Sequence, residues 1–329
     1  MSITIIHPGL MATVQDRGRF GSQRYGVIVS GAADLMSHRL ANILVGNDEN
    51  AATMEVTMFQ TAFRFNEETL FAITGANLRP LLNGKEVPMW RPLLAQPDDE
   101  LRFQAPLEGS RAYVSFAGGL LVPAILNSKS TYLRAHIGGW KGRALQRGDT
   151  IPFGLLHAQN EQMKRYVLEH TSISWSIRHS EFVSFEKKRV IRFTEGLQYE
   201  AFTEDAKLAL EQTTYTMTAQ SDRMGCRLSG EPLRLKRQKE LLSEAVTAGT
   251  IQIPNNGLPI VLLADRQTTG GYPKIGQVIS VDLPRVAQLR PGETIQFKKI
   301  TVQEAERLYL EREWLLHQLQ IGIALKIHN

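Results

Sequence analysis

Residues 262–276, LLADRQTTGGYPKIG, end an apolar run at Ala264. They then set Asp265, Arg266, Gln267, Thr268 and Thr269 before Gly270, Gly271, Tyr272 and Lys274. An arginine offers a planar fork for a carboxylate or phosphate. The carboxamide and hydroxyls both donate and accept, and paired glycines let backbone amides come close to a ligand. So many polar side chains after one buried strand are costly to desolvate unless they meet each other or a ligand. A hydrogen-bonded β-turn with no ligand is the plainer alternative.

Other stretches share this character. Residues 221–230, SDRMGCRLSG, open with Ser221, Asp222 and Arg223. Residues 8–21 place Gln15, Asp16, Arg17 and Arg19 between glycines, and Ser30, Gly31 and Asp34 stand at a helix entry. Residues 127–149 carry Ser128, Ser130, Thr131, Tyr132 and Arg134 ahead of four glycines. Each has a structural alternative. Ser30 and Asp34 suit a helix cap, Asp16 and Arg19 a surface ion pair, and Thr131 and Tyr132 packing or backbone satisfaction.

Several chemistries are missing. No G-x-x-x-x-G-K-[ST] loop and no G-x-G-x-x-G after a strand occurs, so a nucleotide would need another geometry. The eight histidines and one cysteine show no zinc spacing, and no metal site is expected. There is no G-x-S-x-G elbow, and SFEK at 184–187 matches S-x-x-K only as any four residues can by chance. No Ala-Met-Lys-Met site for covalent biotin is present, and Lys164 in QMKRY suits a helix surface.

The elements that must position these residues are mostly strands. The chain has 329 residues, 43% hydrophobic, enough for two domains with their own cores. Its 38 basic and 33 acidic residues leave +5, a spread excess that does not point to nucleic acid. The basic stretch 234–239 suits a solvated face. The lone Cys226 fits a reducing cytoplasm, and neither a signal peptide nor a membrane-length apolar run is evident. Strands are expected at 61–65, 69–75, 111–119, 189–194, 215–220, 249–254, 259–264 and 276–281. QPDDELRF (96–103), QRGDTIPF (146–153) and RPGETIQF (290–297) repeat a polar turn with an acid, then a strand ending in Phe. Such units suit barrels of antiparallel strands. Helices are expected at 34–45, at 204–212 after Thr203, and from the Thr301/Glu304 capping box towards Gln320. A partly helical polar stretch spans 155–180. The expected division is a first barrel at 1–160, a linking segment at 161–185, a second barrel at 186–300 and a C-terminal helix at 301–329.

The stretches GLMATVQDRGRFG, VSGAADLMSHRLANILVGN, STYLRAHIGGWKGRALQRGD, SDRMGCRLSGEPL and the long run around ADRQTTGGYPKIG resemble, in order, the family of 5-oxoprolinase C subunits. That family is also described as the KipI antagonist and as a biotin-dependent carboxyltransferase. The resemblance runs from about residue 5 to residue 300. The chain departs from the family's usual residues at Ala12, Ala33, Asn127, Leu197 and Cys226, and no ionisable group is lost there.

The resemblance implies a mainly β fold of two cyclophilin-like β-barrel domains with a few helices. It implies two partners of 5-oxoprolinase, a KipI-like B subunit and the A subunit, with which the chain opens 5-oxo-L-proline to L-glutamate at the expense of ATP. ATP would meet either this chain or a partner. A related module of urea carboxylase takes the carboxyl group of carboxybiotin, so a carboxyltransferase served by a separate carrier is one alternative. A regulator that sequesters a KipI-like kinase inhibitor is another. For the lactam reaction, Arg266, Arg223 and Lys274 are the candidate cations for developing phosphate charge. Gln267, Thr268, Thr269 and Tyr272 would hold the amide edge, and Asp265 or Asp222 would orient an arginine or act as base.

Overall fold

The structure is a computed structural model and describes residues 1–170, 173–186, 188–237 and 241–328. Lys187 of SFEK and residues 238–239 of the basic stretch lie outside them. The chain divides into two units: Met1–Phe20, Ser30–Ser184 and Leu316–Asn329 form one; Gly21–Val29 and Phe185–Leu315 form the other.

The first unit is built from two antiparallel sheets. One runs in the order Thr150–Pro152, Ser2–Pro8, Thr61–Phe65, Glu100–Arg102, Leu81–Leu82, Lys85–Glu86. The other runs Met11–Gln15, Thr53–Thr57, Glu108–Phe116, Thr69–Asn77, Pro92–Ala95. Alternating residues send Ile3, Ile5, Val14, Phe63, Phe65, Phe71 and Phe116 into one core. Phe116 and Phe153 stack there at 4.8 Å. The helix Leu35–Leu44 begins where Asp34 accepts from the Ser37 amide at 2.9 Å, a cap that satisfies one of the free amides of the first turn.

In the second unit seven strands close into a barrel. Their order is Lys188–Glu195, Lys274–Val278, Thr250–Gln252, Ile260–Leu262, Gly225–Ser229, Thr214–Met217, Thr294–Lys299. The first and last strands pair in parallel to close it, so neither edge is left open. Ile191, Phe193, Tyr215, Cys226, Ile251, Val261, Ile275 and Phe297 fill its interior. Thr203 caps the helix Glu204–Gln212 by accepting from the Ala206 amide.

The threefold sequence repeat is one turn built three times. Asp99, Asp149 and Glu293 each accept from the backbone amide three residues earlier, at Gln96, Gln146 and Arg290. A Phe in the strand that follows, or just past its end, is buried each time: Phe103, Phe153 and Phe297. The last helix spans Val302–His328, within a residue of the expected 301–329 at each end. Leu316 and Ile323, two turns apart, stay buried and extend it past Gln320. Among the described residues no helix is long and apolar enough to cross a membrane.

Candidate functional site

The proposed site residues fall into two groups, one in each unit. In the second unit they surround the turn after strand Ile260–Leu262. The Asp265 amide donates to the Arg223 carbonyl at 2.9 Å, which pins residue 265 beside the entry to strand Gly225–Ser229. The side chains then meet as a fork: Arg223 Nε to Asp265 Oδ2 at 2.9 Å and Nη2 to Oδ1 at 3.1 Å. Both are buried. Asp222 is exposed and accepts from the amides of Met224 and Gly225, so its carboxylate shapes the turn that presents Arg223.

Arg266 is placed differently. Its Nη1 donates to the Leu263 carbonyl at 3.3 Å, and its buried Nε meets no partner among the described residues. Burial lowers its pKa from the ordinary arginine value, with the charge of Asp265 working the other way. A half-buried cation with so little compensation favours an anion or a carbonyl oxygen nearby. Lys274, by contrast, is buried with Nζ 2.8 Å from Glu244 Oε2. Gln198 joins them, accepting from the Lys274 amide at 3.0 Å and donating to Glu244 at 3.3 Å.

Gln267 Nε2 donates to Gln252 Oε1 at 3.5 Å. Thr268 gives its carbonyl to the Val246 amide. Thr269 and Gly270 pair with Ala245 and Glu244 as a short ribbon. A Cβ at Gly270 would sit 2.4 Å from Gln252 Nε2, so a larger residue there would have to displace the end of that side chain. Gly271 and Tyr272 line an open cleft of about 1000 Å³ together with Leu233, Asn255 and Asn256.

In the first unit the polar residues are largely engaged with each other. The Asp16 carboxylate accepts from the Gly18 amide at 2.8 Å, the Lys129 amide at 2.6 Å, Ser128 Oγ at 2.8 Å and Ser130 Oγ. Arg19 is fully buried and donates to the carbonyls of Ile125 and Ser130. Ser30, at a φ of 56°, donates to the Thr131 carbonyl, and Thr131 Oγ1 donates to the Val14 carbonyl. Gln15 Nε2 reaches Thr13 and the Thr131 carbonyl, while its buried Oε1 meets no partner among the described residues. Asp34 caps its helix, and Tyr132 holds a backbone bridge to Ile137. These contacts tie residues 128–131 to strand Met11–Gln15.

Residues outside the sequence-based set also carry this chemistry. Glu55, buried mid-strand, accepts from the Ala33 amide and from the Tyr113 hydroxyl at 2.8 Å. His38 is fully buried, and desolvation lowers its pKa to about 4. Gln252 is 1% exposed and contacts Gln267. The signal for Glu55 is its place inside TMEVT, a charge within an otherwise buried run. The signal for Gln252 is faint, because a polar residue between two isoleucines also describes an ordinary outward-facing strand position.

The family model described as carboxyltransferase domain, subdomain A and B, matches residues 25–299. The 5-oxoprolinase C subunit of Haemophilus influenzae is 37% identical over 318 residues, covering 97% of each chain. That of Escherichia coli is 36% identical over 331 residues, covering 99% of each. Among solved structures, the urea amidolyase of K. lactis superposes with a TM-score of 0.86 at 27% identity, over 95% of this chain and 19% of that much longer one.

Proposed function

This chain belongs to the family of carboxyltransferase domains, subdomain A and B, and from that membership we propose that it serves as the C subunit of an ATP-dependent 5-oxoprolinase. In this reading it works with an A subunit and a KipI-like B subunit in the cytoplasm, and together they open 5-oxo-L-proline to L-glutamate. The observation that carries the reading is the end-to-end match to two proteins named as that subunit.

The lactam amide is resonance-stabilised, so its carbonyl must be held and activated before water can add. Gln267, Thr268, Thr269 and Tyr272 are the groups proposed to hold the ring. Arg266 is the cation proposed to face its negative charge, since Arg223 and Lys274 are committed to Asp265 and Glu244. Arg223 and Asp265 act as positioning residues that set the turn, and ATP is the co-substrate of the assembled complex. The first unit's Gln15, Asp16, Arg19, Ser30, Asp34, Ser128, Thr131 and Tyr132 bond mainly to one another and to nearby backbone, and their proposed part is to hold the loops of that unit in shape.

Co-purification with the A and B subunits, followed by an assay of ATP-dependent glutamate release, tests the proposal. Release should require all three chains, and this chain alone should show no 5-oxoproline-dependent ATPase activity. Glutamate release that is unchanged when this chain is omitted would refute it. The likeness to urea amidolyase favours a second reading, carboxyl transfer from carboxybiotin on a separate carrier. Carboxylation of an amide by this chain plus a biotinylated carrier would establish that one instead.

A further inference from the structure

Gln252 ends the strand Thr250–Gln252 in the second unit, and its neighbours Ile251 and Ile253 both belong to the barrel core. Side chains alternate along a strand, so Gln252 leaves the barrel wall on the outer face. An outward glutamine would ordinarily be solvated, yet this one is 1% exposed. The segment carrying Gln267 and Gly270 lies over it. One end of the carboxamide meets Gln267 Nε2 at 3.5 Å, and the other, Nε2, is buried with no partner among the described residues. A buried unpaired donor is a cost to the fold, and nothing in the packing of an isoleucine-flanked strand requires a glutamine there.

We infer that Gln252 reads the cis-amide edge of the substrate. This rests on the functional reading above and deepens it. In a lactam the N–H and the C=O lie on the same side of the amide bond, unlike in a trans peptide. A carboxamide matches that edge with two hydrogen bonds: Nε2 donates to the ring carbonyl, and the second lone pair of Oε1 accepts from the ring N–H. Gln267, already bonded to Oε1, holds the carboxamide plane. Urea presents the same edge, so the site suits both substrate classes. The cover over Nε2 is a ribbon of two residue pairs, Glu244 with Gly270 and Ala245 with Thr269, tied further by the Val246 amide on the Thr268 carbonyl and by Lys274 on Glu244, and a ligand that pairs Nε2 must open it.

The test uses Gln252→Met, close in shape and without the donor. Binding of 5-oxo-L-proline and its N-methyl derivative is measured by calorimetry on the complex with the A and B subunits, and melting on the chain itself. The melting temperature should stay or rise, because an unpaired polar group is removed. Affinity for 5-oxo-L-proline should fall by about tenfold or more, and the wild type's preference over the N-methyl form should vanish. Preference kept at the wild-type level in the variant overturns the inference, whatever the melting temperature does. Should the wild type bind no 5-oxo-L-proline, the functional reading falls separately. The same comparison of 2-pyrrolidinone with N-methyl-2-pyrrolidinone and of urea with tetramethylurea then decides on Gln252, and no binding of any of them overturns it.

Discussion

Arg223 and Asp265, 42 residues apart in sequence, meet through two hydrogen bonds of 2.9 and 3.1 Å in a buried fork. The backbone bond between the same two residues means that the pair ties two segments of the barrel rim together. Asp265→Asn keeps the shape but removes the carboxylate charge that the buried fork is built on, at a cost of about 3–5 kcal/mol. A drop of roughly 10 °C in melting temperature is expected, followed by circular dichroism. An unchanged melting curve would mean that the pair does not hold the rim.

Arg266→Ala should behave in the opposite way. Its few internal contacts predict a melting temperature within a few degrees of wild type, while glutamate release by the assembled complex is lost. Gln267→Ala is expected to follow it. If neither variant can be recovered folded, the turn is structural and these residues belong to it.

Two glycines separate site from scaffold. A Cβ at Gly270 would fall 2.4 Å from Gln252 Nε2 and 3.4 Å from Gln267 Nε2, side-chain ends that must give way rather than backbone. Gly270→Ala should therefore cost at most about 1–2 kcal/mol in stability while weakening substrate binding. At Gly138, φ is +68° and a Cβ would fall 2.1 Å from the Ser130 carbonyl oxygen. Gly138→Ala should cost about 3 kcal/mol or more, seen as loss of soluble folded chain.

His38 makes part of the stability depend on pH. Buried and bonded to Thr53 Oγ1, it has its pKa lowered to about 4 from 6.5. The unfolded chain binds the proton more tightly, so the contribution is complete above pH 6.5. It is lost as pH falls from 6.5 through about 4, and amounts to about 3 kcal/mol. Urea denaturation across that range should show the slope, and His38→Gln should flatten it. The same slope in the variant would assign it to other groups.

Cys226 lies at 0% exposure inside the second barrel, facing Val261 across the strand pair. Thiol reagents should leave the folded chain unmodified, and Cys226→Ala should keep activity in the complex. Cys226→Ser should also keep it, at a stability cost of about 1–3 kcal/mol for the buried hydroxyl. Rapid labelling of the native thiol would contradict this placement.

Much of the architecture was legible from local pattern. The helix Leu35–Leu44 could be placed because Asp34 and the apolar spacing act within a few residues of each other. The three acid-bearing turns could be recognised because each closes on its own backbone, from Gln96 to Asp99, Gln146 to Asp149 and Arg290 to Glu293. The concentration of polar residues at 265–274 was visible for the same reason, and so was the mainly β character.

Which polar residue answers which was decided only by the tertiary structure. Asp265 finds Arg223, Lys274 finds Glu244 thirty residues away, and Gln267 finds Gln252 fifteen residues away. Those distances depend on the register in which seven strands close, and register leaves no mark in the spacing of residues along the chain. Composition alone made Arg223, Arg266 and Lys274 equivalent cations. Closure of the barrel brought acids to two of them and set the third against a backbone carbonyl, because a long-range ion pair forms only where folding places both charges within a few ångströms.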